Sequence, residues 1–125
     1  MAHKLNNSRR TIAVDFDGVV AEYDGYKGFG VLGQPRRDVL EALIELRSEG
    51  WKIVIHTTRS EQEISGYLTG HGIPFDEINR NSDYNTSGPK PVADLYWDDR
   101  ALSYSGDARK DLSSIRSFKT WAGRE

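Results

Sequence analysis

A chain of 125 residues fits one domain, large enough to bury a hydrophobic core. A net charge of −2 supplies no broadly basic face for avid, non-specific nucleic-acid binding, and the absence of cysteine excludes disulfides and thiolate metal sites. No apolar run approaches the roughly 20 residues that span a bilayer. Residues 1–10 are polar and basic without an apolar signal core, so the expectation is a lead-in over 1–10, a single domain over 11–125 and a cytoplasmic location.

Taken in chain order, Thr11-Ile-Ala-Val-Asp-Phe16 is a short apolar run ending in acid, the pattern of a buried parallel strand. Residues 19–34 hold Gly25, Gly28, Gly30 and Gly33 among Tyr23, Tyr26 and Phe29, which predicts an irregular turn and a small flap hairpin. Pro35 then precedes a helix over 37–48, with Val39, Leu40, Leu43, Ile44 and Leu46 at helical spacing and Gly50 as the stop. Residues 51–57 read as a second buried strand. Ser60 and Glu63 form a capping box for a helix to about residue 69, ended by Gly70 and Gly72. A third strand is predicted at 75–78, a polar loop at 79–91 and a fourth strand at 92–97. A closing helix over 107–119 would turn Leu112, Ile115 and Phe118 inward.

Strands alternating with helices predict a three-layer, doubly wound, Rossmann-like parallel sheet, covered on both faces. Ligands of such sheets bind outside the carboxyl ends of the strands, near a topological switch point. Four polar clusters fall there: Asp15-Phe-Asp17-Gly18, Thr57-Thr58-Arg59, Lys90 and Asp98-Asp99. Several carboxylates in close quarters disfavour one another's ionisation, and a divalent cation resolves the conflict. An all-oxygen donor set without His or Cys points to Mg²⁺ rather than zinc. With the cation present an Asp can act as a nucleophile and form an aspartyl-phosphate. A second carboxyl two residues on, on the same side of the strand, can protonate the leaving oxygen and then activate water. A hydroxyl and a lysine can bind the phosphoryl oxygens.

The order Asp-x-Asp-Gly-Val, a strand ending in Thr, Lys before a strand, then Asp-Asp resembles the haloacid dehalogenase superfamily, over roughly residues 11–111. The resemblance implies Asp15 as nucleophile and metal ligand. Asp17 would be the general acid/base, lending the metal its backbone carbonyl. Thr57 and Lys90 would bind phosphoryl oxygens, Lys90 also restraining Asp15. Asp98 would serve the metal, with Asp99 either binding it directly or orienting a bound water. The acid at position 17 implies a phosphatase or phosphotransferase rather than a dehalogenase. Only 39 residues separate Asp17 from Thr57 and 32 separate Thr57 from Lys90, which leaves no room for a cap domain. A capless site would admit a bulky or polymeric substrate, or be closed by a neighbouring subunit, so a homo-oligomer is left open.

Thr58, Arg59 and Arg100 follow the motifs and are read as substrate-binding; the arginines are equally compatible with surface salt bridges. Polynucleotide 3′-phosphatases of the superfamily are similar in carrying arginines at such places. Tyr23, Tyr26 and Phe29 could stack on a base, with packing of the flap the preferred reading. The leading expectation is a Mg²⁺-dependent phosphatase acting on a phosphorylated small molecule or polymer end, with no membrane partner. The alternatives are a polynucleotide 3′-phosphatase-like enzyme, which the net charge does not favour, and a catalytically silent phosphate-binding module. A receiver domain would place its acid pair first and an Asp after the third strand, where this chain has Ile78-Asn79.

Overall fold

The computed structural model describes residues 3–4 and 9–119. Its elements in order are β1 (His3–Lys4), β2 (Thr11–Asp15), α1 (Arg37–Ser48), β3 (Lys52–His56), α2 (Glu61–Gly70), β4 (Glu77–Ile78), β5 (Tyr84–Asn85), β6 (Leu95–Trp97) and α3 (Ala108–Ser117). β4, β3, β2 and β6 form one parallel sheet in that order, with Thr11 opposite Lys52 and Val14 opposite both Ile55 and Trp97. The chain steps outward from β2 through α1 to β3 and through α2 to β4, then returns to the other side of β2. The strand order therefore reverses at β2, which makes its carboxyl end the switch point of a Rossmann-like α/β fold.

Alternation decides the layers. Ile12, Val14, Ile53 and Ile55 share one face, where they pack with Val39 and Leu43 of α1 and Ile64 and Leu68 of α2 in a single buried cluster. The other face carries Thr11, Ala13, Lys52 and Val54, all buried, and the segment between β4 and β6 runs over it. That segment supplies Asn81, whose amide donates to the Thr11 hydroxyl at 3.0 Å and to the Val92 carbonyl at 2.8 Å.

The helix starts follow the local sequence. α1 spans the predicted residues and ends before Gly50, at φ +93°. α2 has its capping box: Ser60 Oγ accepts from the Glu63 N–H at 3.2 Å, and Glu63 Oε1 accepts from the Ser60 N–H at 3.2 Å. Asp107 caps α3 by accepting from the N–H groups of Arg109 and Lys110.

Several expectations differ in detail. The third and fourth strands are shorter than predicted; Asp94 Oδ2 takes the Thr11 N–H at 2.7 Å, a side chain standing where a ladder carbonyl would. His3–Lys4, read as lead-in, pairs antiparallel with Tyr84–Asn85. The apolar positions of the closing segment are turned inward only in part: Leu112 is half-buried, but Ile115 is 58% exposed and Phe118, just past α3, 38%, while Asp111 is the buried residue of that helix. α3 is held instead by its cap and by the Ser105 N–H, which donates to Asp111 Oδ2 at 3.1 Å. The flap is closed at its base by the Ala21–Pro35 bridge and the Glu22 N–H to Gln34 carbonyl bond of 2.8 Å. Gly33 is required there, since a Cβ would run into the Glu22 carbonyl oxygen.

Candidate active site

β2 ends at Asp15 and turns at once. The N–H groups of Val20 and Ala21 reach back to the carbonyls of Asp15 and Phe16, and Gly18 takes φ +93°. This turn sets Gly18 against Asp99, at the end of the neighbouring strand. A Cβ on Gly18 would lie 2.8 Å from the Asp99 Cγ, so only glycine lets the two loops close up.

Parallel pairing puts Asp15 beside His56 and one step beyond Trp97, and Asp98-Asp99 therefore arrive beside Asp15. Asp15, Asp98 and Asp99 each offer a carboxylate oxygen, all within 4.8 Å of one another, and all three residues are half-buried. Asp99 Oδ1 is buried and has no hydrogen-bond partner among the described residues. The Asp15 carboxyl is pushed up to about 8, first by burial, then by the charge of Asp98, a hydrogen bond with Asp99 and the charges of Asp99 and Asp17. Clustered oxygens that raise one another's proton affinity, one of them orphaned, suit a small divalent cation. Asp98 Oδ1 is already engaged by the Arg100 N–H at 2.7 Å.

A cleft of about 300 Å³ opens over this group, lined by Asp15, Asp17, Tyr23, His56, Thr57, Thr58, Asp98 and Arg100. Thr57 is set by its neighbours. Its N–H donates to Asn79 Oδ1 at 2.8 Å and its Oγ1 accepts from the Arg59 N–H at 3.1 Å, which leaves the hydroxyl proton free to donate. Asn79, at φ 59°, was not singled out in the sequence; a polar residue directly after a strand was its one signal.

Asp17 stands apart from the three clustered carboxylates. Arg59 Nε donates to its Oδ2 at 2.7 Å, while its Oδ1 is buried without a partner among the described residues. Arg59 itself is only 5% exposed. Its two terminal nitrogens donate to Glu63 Oε2 at 2.9 Å and the Val31 carbonyl at 3.3 Å, and the Tyr26 ring lies 5.2 Å away. Glu63, legible as half of a capping box, also accepts from the flap at Gly30 N–H; that bond first, and against burial the Ser60 N–H and Arg59, hold its carboxyl below the usual range.

The residues expected to bind substrate thus divide. Thr58 and Arg100 line the cleft; Arg59 is spent inside the protein. Lys90 is not brought against Asp15, because its ammonium rests 4.6 Å above the Tyr96 ring. Tyr96 in turn meets His56 edge-on at 6.1 Å. Tyr26 and Phe29 stay about two-thirds exposed rather than packing the flap down.

No family model and no curated protein matches the chain. Among solved structures, a conserved protein of Bacteroides thetaiotaomicron is similar over 94% of this chain and 98% of its own, at 25% identity and a TM-score of 0.61. That likeness extends along nearly the whole of both chains. A Vibrio cholerae protein is 28% identical over 87% of this chain and 95% of its own, with a TM-score of 0.49. A chain of the Pnkp1/Rnl/Hen1 complex is 13% identical over 94% of this chain and 37% of its own, with a TM-score of 0.48.

Proposed function

We propose that this protein is a Mg²⁺-dependent phosphatase of the haloacid dehalogenase type, hydrolysing a phosphate monoester through an aspartyl-phosphate on Asp15. The observation that carries the reading is the meeting of Asp15, Asp98 and Asp99 within 4.8 Å at the switch point of the sheet, beneath a polar cleft. Bound between those carboxylates, Mg²⁺ would offset their mutual repulsion and draw negative charge from a phosphoryl group.

The side chains then divide the work. Asp15, relieved of its proton, attacks phosphorus, and the ester oxygen leaves as the new acyl-phosphate bond forms. Asp17 supplies the proton that the departing oxygen requires. In the second half it removes a proton from water as that water attacks the aspartyl-phosphate, which returns phosphate and free Asp15. Thr57, its oxygen already accepting from Arg59, donates its hydroxyl proton to a phosphoryl oxygen. Arg100 is the cation that lines the cleft; Lys90 would join it only by swinging off Tyr96.

Both arginines gripping a polymer-end phosphate is the less supported arrangement, since each of the three Arg59 nitrogens already donates within the protein and Arg59 is not among the residues that line the cleft. The test is hydrolysis of an aryl phosphate with and without Mg²⁺, beside Asp15→Asn. Magnesium-dependent release in the wild type and none in the variant supports the reading. Release that survives Asp15→Asn contradicts it.

A further inference from the structure

We infer that this chain pairs with a second copy of itself, the closing helix α3 of each copy seated in an apolar groove between α1 and β6 of the other. The inference is independent of the phosphatase reading and would survive its failure.

The groove lies where the helical layer stops. Parallel register sets Leu95 beside Ile12 and Trp97 beside Val14, so these side chains point to the face of the sheet that α1 and α2 cover. β6 is the outer strand of that sheet, and Leu95 is half-exposed. What remains is a groove of about 380 Å³, with Ile12, Leu95 and Trp97 on the sheet and Ala42 and Leu46 on the flank of α1. The same flank supplies its charge, Glu45 and Glu49, one helical turn apart. A groove bounded by a helix on one side and a strand beneath has the shape of a missing neighbour in the layer.

The occupant is read from α3. Leu112 is half-buried, yet Ile115, three residues on, is exposed, and so are Leu102 and Tyr104 in the segment leading to the helix. Its own chain holds α3 near its start, by the Asp107 cap and by the bond from the Ser105 N–H to Asp111 Oδ2, so its later turns are left to solvent. An apolar stripe on a helix is ordinarily covered. The charges agree with the shapes. Arg109 lies three residues before Leu112 and Arg116 four after it, which puts both on the side of the helix that carries Leu112. None of Glu45, Glu49, Arg109 and Arg116 is in an ion pair among the described residues.

An acid-rimmed apolar groove and a base-edged apolar stripe on one chain complement each other across a two-fold axis. The helix of the first copy fills the groove of the second and the reverse, so one closed contact covers both stripes and both grooves.

Sedimentation equilibrium of the full chain at high micromolar concentration should give twice the chain mass of 14.1 kDa. Charge reversal on the stripe (Arg109→Glu with Arg116→Glu) or on the groove (Glu45→Arg with Glu49→Arg) should weaken self-association about a hundredfold. All four side chains are exposed, so both variants should keep the circular dichroism of the wild type. An equimolar mixture of the two should restore the dimer, because each stripe then meets a groove of opposite charge. Ile115→Ser, which removes apolar surface alone, should weaken association about tenfold. A monomeric wild type, folded variants that associate as the wild type does, or a mixture that stays monomeric would overturn the inference. Should a double variant not fold, Ile115→Ser carries the test, and unchanged association in that variant would likewise overturn it.

Discussion

At the amino end of the sheet Lys52 is buried, with its side chain 1% exposed, yet it is surrounded by opposite charge. Its ammonium lies 2.6 Å from Glu77 and 3.2 Å from Asp83, donates to Asn81 at 2.9 Å, and Asp83 is held in turn by Arg9 at 2.8 Å. At the carboxyl end, one strand length away, Asp15, Asp98 and Asp99 are also withdrawn from water, but what they face is one another. The first arrangement satisfies buried charges with partners and holds the loop between β4 and β6 against the sheet. The second leaves like charges together, which costs stability and is retained where a site needs a ligand to complete it. The same fold therefore shows, at its two ends, charge paired with opposite charge and carboxylates set facing one another.

The largest expected effect lies at the paired end. Lys52→Met keeps the length of the side chain and takes from Glu77 and Asp83 the buried cation they share, so urea denaturation should show a loss of about 3–5 kcal/mol. An unchanged midpoint would mean that water already reaches those acids and that the contrast between the ends is weaker than described. Next comes Gly18→Ala, which forces a Cβ into φ +93° and against Asp99. It should cost about 1–2 kcal/mol, with a greater loss of magnesium affinity by calorimetry than of thermal stability. Asp98→Asn should act in the opposite direction. By removing one of the facing carboxylates it should raise the melting temperature of the metal-free protein by about 4 °C while abolishing stabilisation by Mg²⁺.

Stability should also tilt with pH, in opposite directions at the two ends. Asp15 has its folded value raised from 3.8 to about 8, so its contribution is complete below about pH 4 and is lost as pH rises through 8. Glu77 is opposed by burial but held down by Lys52 and Ser82, to about 2 from 4.5, so its contribution is present above 4.5 and is lost as pH falls through 2. Melting curves in a chelator should therefore drop between about pH 5 and 8 in the wild type and flatten in Asp15→Asn.

The carboxyl end was largely legible in the sequence, because strand alternation and the apolar runs before Asp15, Thr57 and Asp98 carry a short-range signal. Three acids placed at strand ends are brought together by the register of a parallel sheet, and nothing else is needed. The amino end was not legible. Lys52 reads as one charge within an apolar strand, and Arg9 and Asp83 lie 74 positions apart, joined only by how a loop returns across the sheet. The same limit hid the Arg59–Asp17 pair, 42 positions apart, and left Arg59 looking like a surface or substrate-binding arginine. Lys90 was placed by its nearness to a strand, whereas the nearby Tyr96 ring decides where its ammonium rests. The apolar stripe of α3 predicted burial, and the helix caps, which are local, formed without it.

The most direct test is to look for the phosphoryl group on Asp15 itself. The protein is mixed with an aryl phosphate and Mg²⁺, quenched in acid within seconds and reduced with borohydride, which converts a phosphorylated aspartate to homoserine. Peptide mass spectrometry should find homoserine at position 15, dependent on Mg²⁺ and absent at positions 17, 98 and 99. Steady hydrolysis with aspartate intact at position 15, or homoserine at another position, would contradict the assignment of Asp15 as the nucleophile.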